Sequence, residues 1–307
     1  MIKKNWSNGF ILLTLLLTIQ GTAQKNYKPG NSYFDIEKWT ELRVGNMPLV
    51  ISVPHGGLMK PDSLADRDCA DAITVVDSYT IELANAIDSV FKADYGYRPT
   101  LVICYLARKK IDQNRELTVA TCGNTTLAKT WAIFHSYIND ALTLANEKYG
   151  KCAYIDLHAQ GHPIQRLELG YLLTPKALMN FDTQKNIGSL AQKSSLQNLL
   201  NINPALSFAE LLVGANSFGT WMANNGFPSI PSNQDPYPNN GEKYFDGGYN
   251  TRRYTSAQYP TTFGWQIETN FKGVREVFSR PLFAKAFCKN IVRYLQEYAD
   301  IKLTKIN

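Results

Sequence analysis

Leu49-Val-Ile-Ser-Val-Pro-His55-Gly-Gly57 is the stretch from which the fold is read. Leu49 to Val53 is an apolar, largely β-branched run that predicts a buried strand, and Pro54, which has no backbone N–H, ends it. A histidine and two glycines then place an imidazole on a tight turn at the strand's carboxyl end, where open α/β sheets bind their ligands.

Two later segments repeat the pattern. Ala153-Tyr-Ile-Asp-Leu-His158 closes on a second histidine, and Gly264-Trp-Gln-Ile-Glu268 closes on a carboxylate. Desolvating an ionisable group costs several kcal/mol, a large share of a domain's net stability. Such strand ends require compensation, and a divalent cation would supply it.

The 307 residues are 44% hydrophobic, 12% aromatic and 19% charged, which predicts a folded domain of enzyme size and argues against disorder. Residues 1 to 23 differ from the rest: Lys3 and Lys4, the apolar run Phe10 to Ile19, then Gly21-Thr-Ala23. This is the grammar of a secretory signal peptide cut after Ala23, its apolar run being too short to span a bilayer. The expected destination is the periplasm or the medium, with no stable membrane anchor. An uncleaved anchor is the competing reading. No cysteine near the cut indicates a lipid anchor.

The formal charge is +6; Lys3 and Lys4 are the only charges in the removed segment, which leaves 30 basic against 26 acidic residues. No block of like charge exists, so nucleic acid is not expected as a partner. Five cysteines form no C-x-x-C pair. Cys104 and Cys152 lie in apolar runs and read as buried thiols, whereas Cys69 and Cys122 lie in loop-like sequence that an oxidising compartment would let pair.

In chain order, residues 58 to 72 read as an acidic loop holding Asp62, Asp66, Asp68 and Asp71. From Thr74 the spacing of Val76, Tyr79, Leu83, Ile87 and Val90 predicts a helix with Asp77 in its first turn, where a carboxylate also serves as a cap. Pro99 to Tyr105 reads as a strand, and residues 126 to 149 as a helix in which His135 is structural or on the surface. Leu167 to Leu173 reads as a further strand, and 180 to 213 as mostly helical. Residues 227 to 262, rich in Pro, Asn, Gly and Tyr, have no hydrophobic period and read as a functional loop. A closing helix begins at Ser279-Arg-Pro281. Alternating strands and helices predict an α/β fold with a largely parallel sheet covered on both faces.

Six motifs then stand in one order: Ser52-Val-Pro-His55-Gly-Gly; Asp77 to Leu83; Arg108 with Ile111-Asp-Gln-Asn-Arg115; Ile155-Asp-Leu-His158; Gly247-Gly-Tyr-Asn-Thr-Arg252; and Gln266-Ile-Glu268. This set resembles the N-formylglutamate amidohydrolases over about residues 49 to 275. The resemblance implies a zinc carboxypeptidase and aspartoacylase-like fold, a three-layer α/β/α sandwich around a mixed, largely parallel sheet, with residues 24 to 307 as one catalytic domain. It implies His55, Asp77 and His158 as ligands of a catalytic Zn2+ with a fourth position for water. Glu268 becomes the general base and then the acid that protonates the departing amine. Arg108 becomes the group that polarises the scissile carbonyl, and Asn114, Arg115 and Arg252 become the clamp on a substrate carboxylate.

Alternatives accompany these roles. Asp68 and Asp71 compete with Asp77 as the acidic ligand, Glu268 with a salt-bridged structural role, and Arg115 and Arg252 have Asp112 and Asp246 as possible ion-pair partners. His162 is expected to orient a ligand rather than bind metal, because Gly161 and Pro163 break the helix that binding would need. The predicted activity is zinc-dependent hydrolysis of an N-acyl amino acid or short peptide bearing a free carboxylate. A secreted metallocarboxypeptidase or cell-wall peptide amidase is the second reading, and a non-catalytic binding protein on the same fold is the third.

Overall fold

The computed structural model describes residues 26–181 and 187–305; the predicted signal segment lies outside the described residues. Among these, eight strands form one sheet: β1 (Ser32–Phe34), β2 (Thr40–Arg43), β3 (Leu49–Val53), β4 (Thr100–Cys104), β5 (Cys152–Ala159), β6 (Leu167–Gly170), β7 (Ser229–Ile230) and β8 (Thr262–Thr269). Their spatial order is β1-β2-β4-β3-β5-β8-β6-β7. The central four, β4-β3-β5-β8, run parallel. β1 and β2 add an antiparallel edge, and β6 joins β8 antiparallel with β7 parallel to it. The sheet is therefore mixed and largely parallel.

The helices are α1 (Thr80–Tyr95), α2 (Leu117–Thr121), α3 (Ala128–Tyr149), α4 (Pro175–Met179), α5 (Ile187–Lys193), α6 (Gln197–Ile202), α7 (Phe208–Val213), α8 (Phe218–Asn224), α9 (Tyr249–Tyr254) and α10 (Arg280–Ala299). Strand alternation sorts the core into two layers. Leu49, Ile51 and Val53 of β3, Ile155 and Leu157 of β5, and Trp265 and Ile267 of β8 pack with α1, α8 and α10. Val50, Val102 and Tyr154 pack on the opposite face against Phe134 and Ile138 of α3 and Tyr254 of α9. Both faces of the central strands are thus covered, which is why their sequences are nearly continuous apolar runs. The result is a three-layer α/β/α arrangement.

The first helix begins later than its apolar spacing predicts. Tyr79 has φ 68°, a left-handed conformation that interrupts a helix, so α1 starts at Thr80. Asp77 lies in the preceding turn, its N–H donating to the His55 carbonyl at 3.0 Å. It does not sit in a first helical turn. Further on, the strand expected through Leu173 ends at Gly170, and Ser217 caps α8 through the Thr220 N–H. The stretch expected to be loop carries two short elements, β7 and α9.

Cys69 and Cys122 form a disulfide with Cα atoms 5.5 Å apart, and Cys104, Cys152 and Cys288 are buried thiols. His135 is structural: buried within α3, its Nδ1 lies 2.7 Å from the Tyr254 hydroxyl. Burial, aided by the charge of Arg253, pushes this imidazole down to about 3. In the unfolded chain it protonates near 6.5, so between about pH 6.5 and 3 the unfolded state binds the extra proton and stability falls as pH falls. We expect His135→Phe to remove a loss of the order of 4 kcal/mol over that window. Urea denaturation of both proteins at pH 7 and pH 4 checks it, and parallel pH slopes would refute it.

Candidate metal centre

Three strand ends build the site, and sheet register explains why they meet. In the parallel pairing of β5 with β8, His158 is the Cα partner of Glu268 and Asp156 that of Gln266. His158 and Asp156, two residues apart, share one face of their strand. His55 follows β3, the neighbour of β5 on its other side. The turn that carries it has no room for side chains: a Cβ on Gly57 would lie 2.2 Å from the Tyr105 carbonyl carbon, and one on Gly56 2.4 Å from Thr80 Oγ1. The two glycines let the turn pass between the end of β4 and the start of α1.

His55, Asp77 and His158 converge, with one ligand atom from each lying within 4.8 Å of the others, and all three are buried. Asp77 Oδ2 is the common point. It lies 2.9 Å from His158 Nδ1 and 3.5 Å from His55 Nδ1, and accepts the Ala159 N–H at 3.2 Å. Each imidazole is held from behind by a second carboxylate. His55 Nε2 lies 2.6 Å from Asp112 Oδ1, and His158 Nε2 lies 2.9 Å from Asp156 Oδ2. Asp156 is itself fixed by the Ser52 hydroxyl at 2.5 Å, and Asp112 by the Asn114 N–H and by the Nε of Arg108, both at 3.0 Å.

Protonation follows from this crowding. Burial opposes ionisation of Asp77, but the imidazoles of His158 and His55 beside it outweigh that and hold the carboxyl far below the usual range. Asp112 is also held low: burial is overcome by the charges of His55, Arg108 and Arg115. Burial would lower His158, yet Asp156, Asp77 and Glu268 together raise it well above an ordinary imidazole. Glu268 is pushed up to about 8 by burial, reinforced by Asp77 and Glu168 and opposed by His158.

These residues fit a dication. His55 Nδ1 is buried with no hydrogen-bond partner among the described residues, as is Glu268 Oε2. Two imidazole nitrogens and a carboxylate oxygen suit zinc, and a histidine whose far nitrogen is held by a carboxylate is the usual support for a metal ligand. Asp77, not Asp68 or Asp71, is the acid in the cluster; the other two are exposed on the loop before it.

A cleft of about 180 Å³ opens onto the trio, lined also by Arg108, Asn114, Arg115, Phe245 and Glu268. Arg108 Nη2 lies 3.0 Å from Asp112 and its Nη1 3.8 Å from Asp77. Asn114 Nδ2 lies 3.2 Å from His158 Nε2, while its Oδ1 accepts the Asn250 N–H. Arg115 is half-buried at the cleft; Arg252 is exposed on α9, outside the residues that line it. His162 Nδ1 meets Glu168 Oε1 at 2.7 Å, so its partner is that carboxylate.

Asp112 and Asp156 carry roles that the sequence reading missed. From the sequence Asp112 reads only as a partner for Arg115 and Asp156 carries no role, although its i, i+2 spacing to His158 is the signal that both share a strand face. We expect Asp112→Ala to weaken zinc binding by about 10- to 100-fold. Competition against a chromophoric chelator measures this, and an unchanged affinity would remove Asp112 as the group that orients His55.

No family model matches the chain, and no curated protein matches it. Among solved structures the chain is similar to N-formylglutamate amidohydrolase from Ralstonia eutropha JMP134, with TM-score 0.48 and 13% identity over 83% of this chain and 95% of that one. It is also similar to a gene product of Agrobacterium tumefaciens, with TM-score 0.47 and 12% identity over 82% and 92% of the two chains. The first of these bears the name of the family that the ordered motifs resemble.

Proposed function

We propose that this chain is an exported, zinc-dependent amidohydrolase that cleaves an N-acyl amino acid or short peptide with a free carboxylate. The observation that carries the reading is the meeting of His55, Asp77 and His158 at a cleft with a buried carboxylate, Glu268, on the neighbouring strand. Zinc held by the trio would supply Lewis acidity toward the amide carbonyl and the attacking water.

The remaining work falls to this chain's own side chains. Glu268 takes a proton from water as the water oxygen bonds to the carbonyl carbon. It then returns that proton to the amide nitrogen as the C–N bond breaks, and a carboxylate and a free amine leave. Arg108, held in place by Asp112, offers a guanidinium N–H to the carbonyl oxygen as negative charge gathers there. The substrate carboxylate is assigned to Arg115, whose planar fork matches it, rather than to the exposed Arg252.

Export is supported by the signal-like N-terminus and fits the Cys69–Cys122 bridge. N-terminal sequencing of the exported protein is expected to begin at Gln24. The function is tested by metal analysis of the purified protein and by following amine release from N-acyl amino acids before and after chelation. The expected result is one zinc per chain, and activity lost on chelation and restored by zinc. Full activity without zinc would sink the reading, and faster release of amino acids from unblocked peptides would move the protein to the carboxypeptidase class.

A further inference from the structure

We propose that Phe245, held from behind by His162 and Glu168, forms with Ile73 an apolar wall of the cleft that selects substrates with an apolar group flanking the scissile amide. The inference rests on the hydrolase reading above and names the substrate class for that site. Glu168 is a buried carboxylate on β6 with both oxygens engaged: Oε1 with His162 Nδ1 at 2.7 Å and Oε2 with the Phe245 N–H at 2.8 Å. The two groups it holds stack on each other, ring centroids 4.7 Å apart and 18° from parallel. Phe245 nevertheless stays 44% exposed, and it lines the cleft.

A second apolar residue is fixed in a comparable way. Ile73, 46% exposed, lines the same cleft, and its carbonyl accepts from Nη1 of the buried Arg67 at 2.9 Å. A buried charged group thus pins the backbone of each apolar liner, which keeps both in place before a ligand arrives and reduces the ordering cost of binding. Charge points the same way. Of the two arginines that line the cleft, Arg108 is paired with Asp112, which leaves Arg115 for a single substrate carboxylate. A second carboxylate directed at the wall would meet the Phe245 ring with Glu168 bonded behind it. An apolar group there would cover Phe245 and Ile73 instead.

Three substrates test this on the zinc-loaded full chain: N-formylphenylalanine, with the apolar group on the amine half; N-phenylacetylglycine, with it on the acyl half; and N-formylglutamate, with neither. At least one of the first two is expected to exceed the third in kcat/KM by about tenfold or more, and which one does so locates the group. Phe245→Ala, at a half-exposed position, is expected to collapse that ratio toward one. Glu168→Gln is expected to raise KM for the apolar substrate more than it lowers kcat, as befits a positioning residue. A preference for N-formylglutamate, or a ratio that Phe245→Ala leaves unchanged, overturns the proposal. If none of the three is hydrolysed, the hydrolase reading fails separately, and calorimetric binding of the same three acids to the protein and to Phe245→Ala still decides the preference by the same two criteria.

Discussion

Glu268→Gln is expected to lower turnover of N-acyl amino acids by about 10³-fold while leaving zinc content at the parent level. The carboxylate stands beside His158 in the sheet register and in the cleft, yet it is outside the converging trio, so its loss should remove proton transfer and not metal. The fold should not suffer. In the metal-free chain burial pushes Glu268 up to about 8, so ionising it there costs free energy, while a dication held by the trio would favour the carboxylate that acts as base. Between the unfolded value near 4.5 and about 8 the folded chain binds the extra proton, so this group subtracts stability as pH rises through that window. A neutral amide of the same shape removes the effect, and its oxygen can still accept from Gln266 Nε2, the bond now 2.7 Å long. Lost turnover with an unchanged or higher melting temperature at pH 7 is therefore the combination expected. It also separates the enzyme from a binding protein on the same fold, whose function this substitution would leave alone. Glutamine turnover within tenfold of the parent would remove Glu268 as the base.

The sheet was legible because its central strands are buried on both faces. Leu49 to Val53 and Ala153 to Leu157 are apolar at every position but one or two, and Pro54 marks an end with no appeal to tertiary structure. His55, His158 and Glu268 were legible for a related reason, since an ionisable residue closing such a run has few alternatives to function, whereas Asp77 was reached only through the family resemblance. Asp77 shows where local reading stops. The spacing of Val76, Tyr79 and Leu83 continues a helical period through the turn, but the N–H of Asp77 is taken by the carbonyl of His55, and the left-handed Tyr79 follows. That contact joins residues 22 apart and leaves no mark in a local pattern.

The supporting carboxylates were harder still. Asp156 meets Ser52 across 104 positions and Asp112 meets His55 across 57, and both pairings depend on strand order. Arg67 and Arg275 stand near other charged residues and in sequence look like any solvated loop, while Glu168, inside the apolar run Leu167 to Leu173, carries no mark of what it will hold. Their burial follows from backbone carbonyls and N–H groups presented by segments far along the chain. Arg275 donates to Thr269, Ser78 and Gln160 in this way, tying the segment after β8 to the turn that holds Asp77.

His158→Ala is expected to abolish the response of stability to zinc. For the parent, zinc at a thousandfold its dissociation constant should stabilise the folded chain by about 4 kcal/mol, because the unfolded chain does not hold His55, Asp77 and His158 together. Without the His158 imidazole, His55 and Asp77 remain as two ligands, too few for a catalytic zinc site. A second loss accompanies the first, since His158 bridges Asp77 and Asp156 through its two nitrogens. Removing one partner from buried charged groups costs about 3–5 kcal/mol, so the variant should be weakened even under EDTA. His158→Gln separates the two effects: its amide can reach one carboxylate and recover part of the fold's stability, but it should not recover the zinc response. Urea denaturation of the three proteins with EDTA and with zinc measures both quantities. Equal zinc-induced shifts of the midpoint in all three would mean that the ion binds elsewhere, and the centre built on His55, Asp77 and His158 would have to be abandoned.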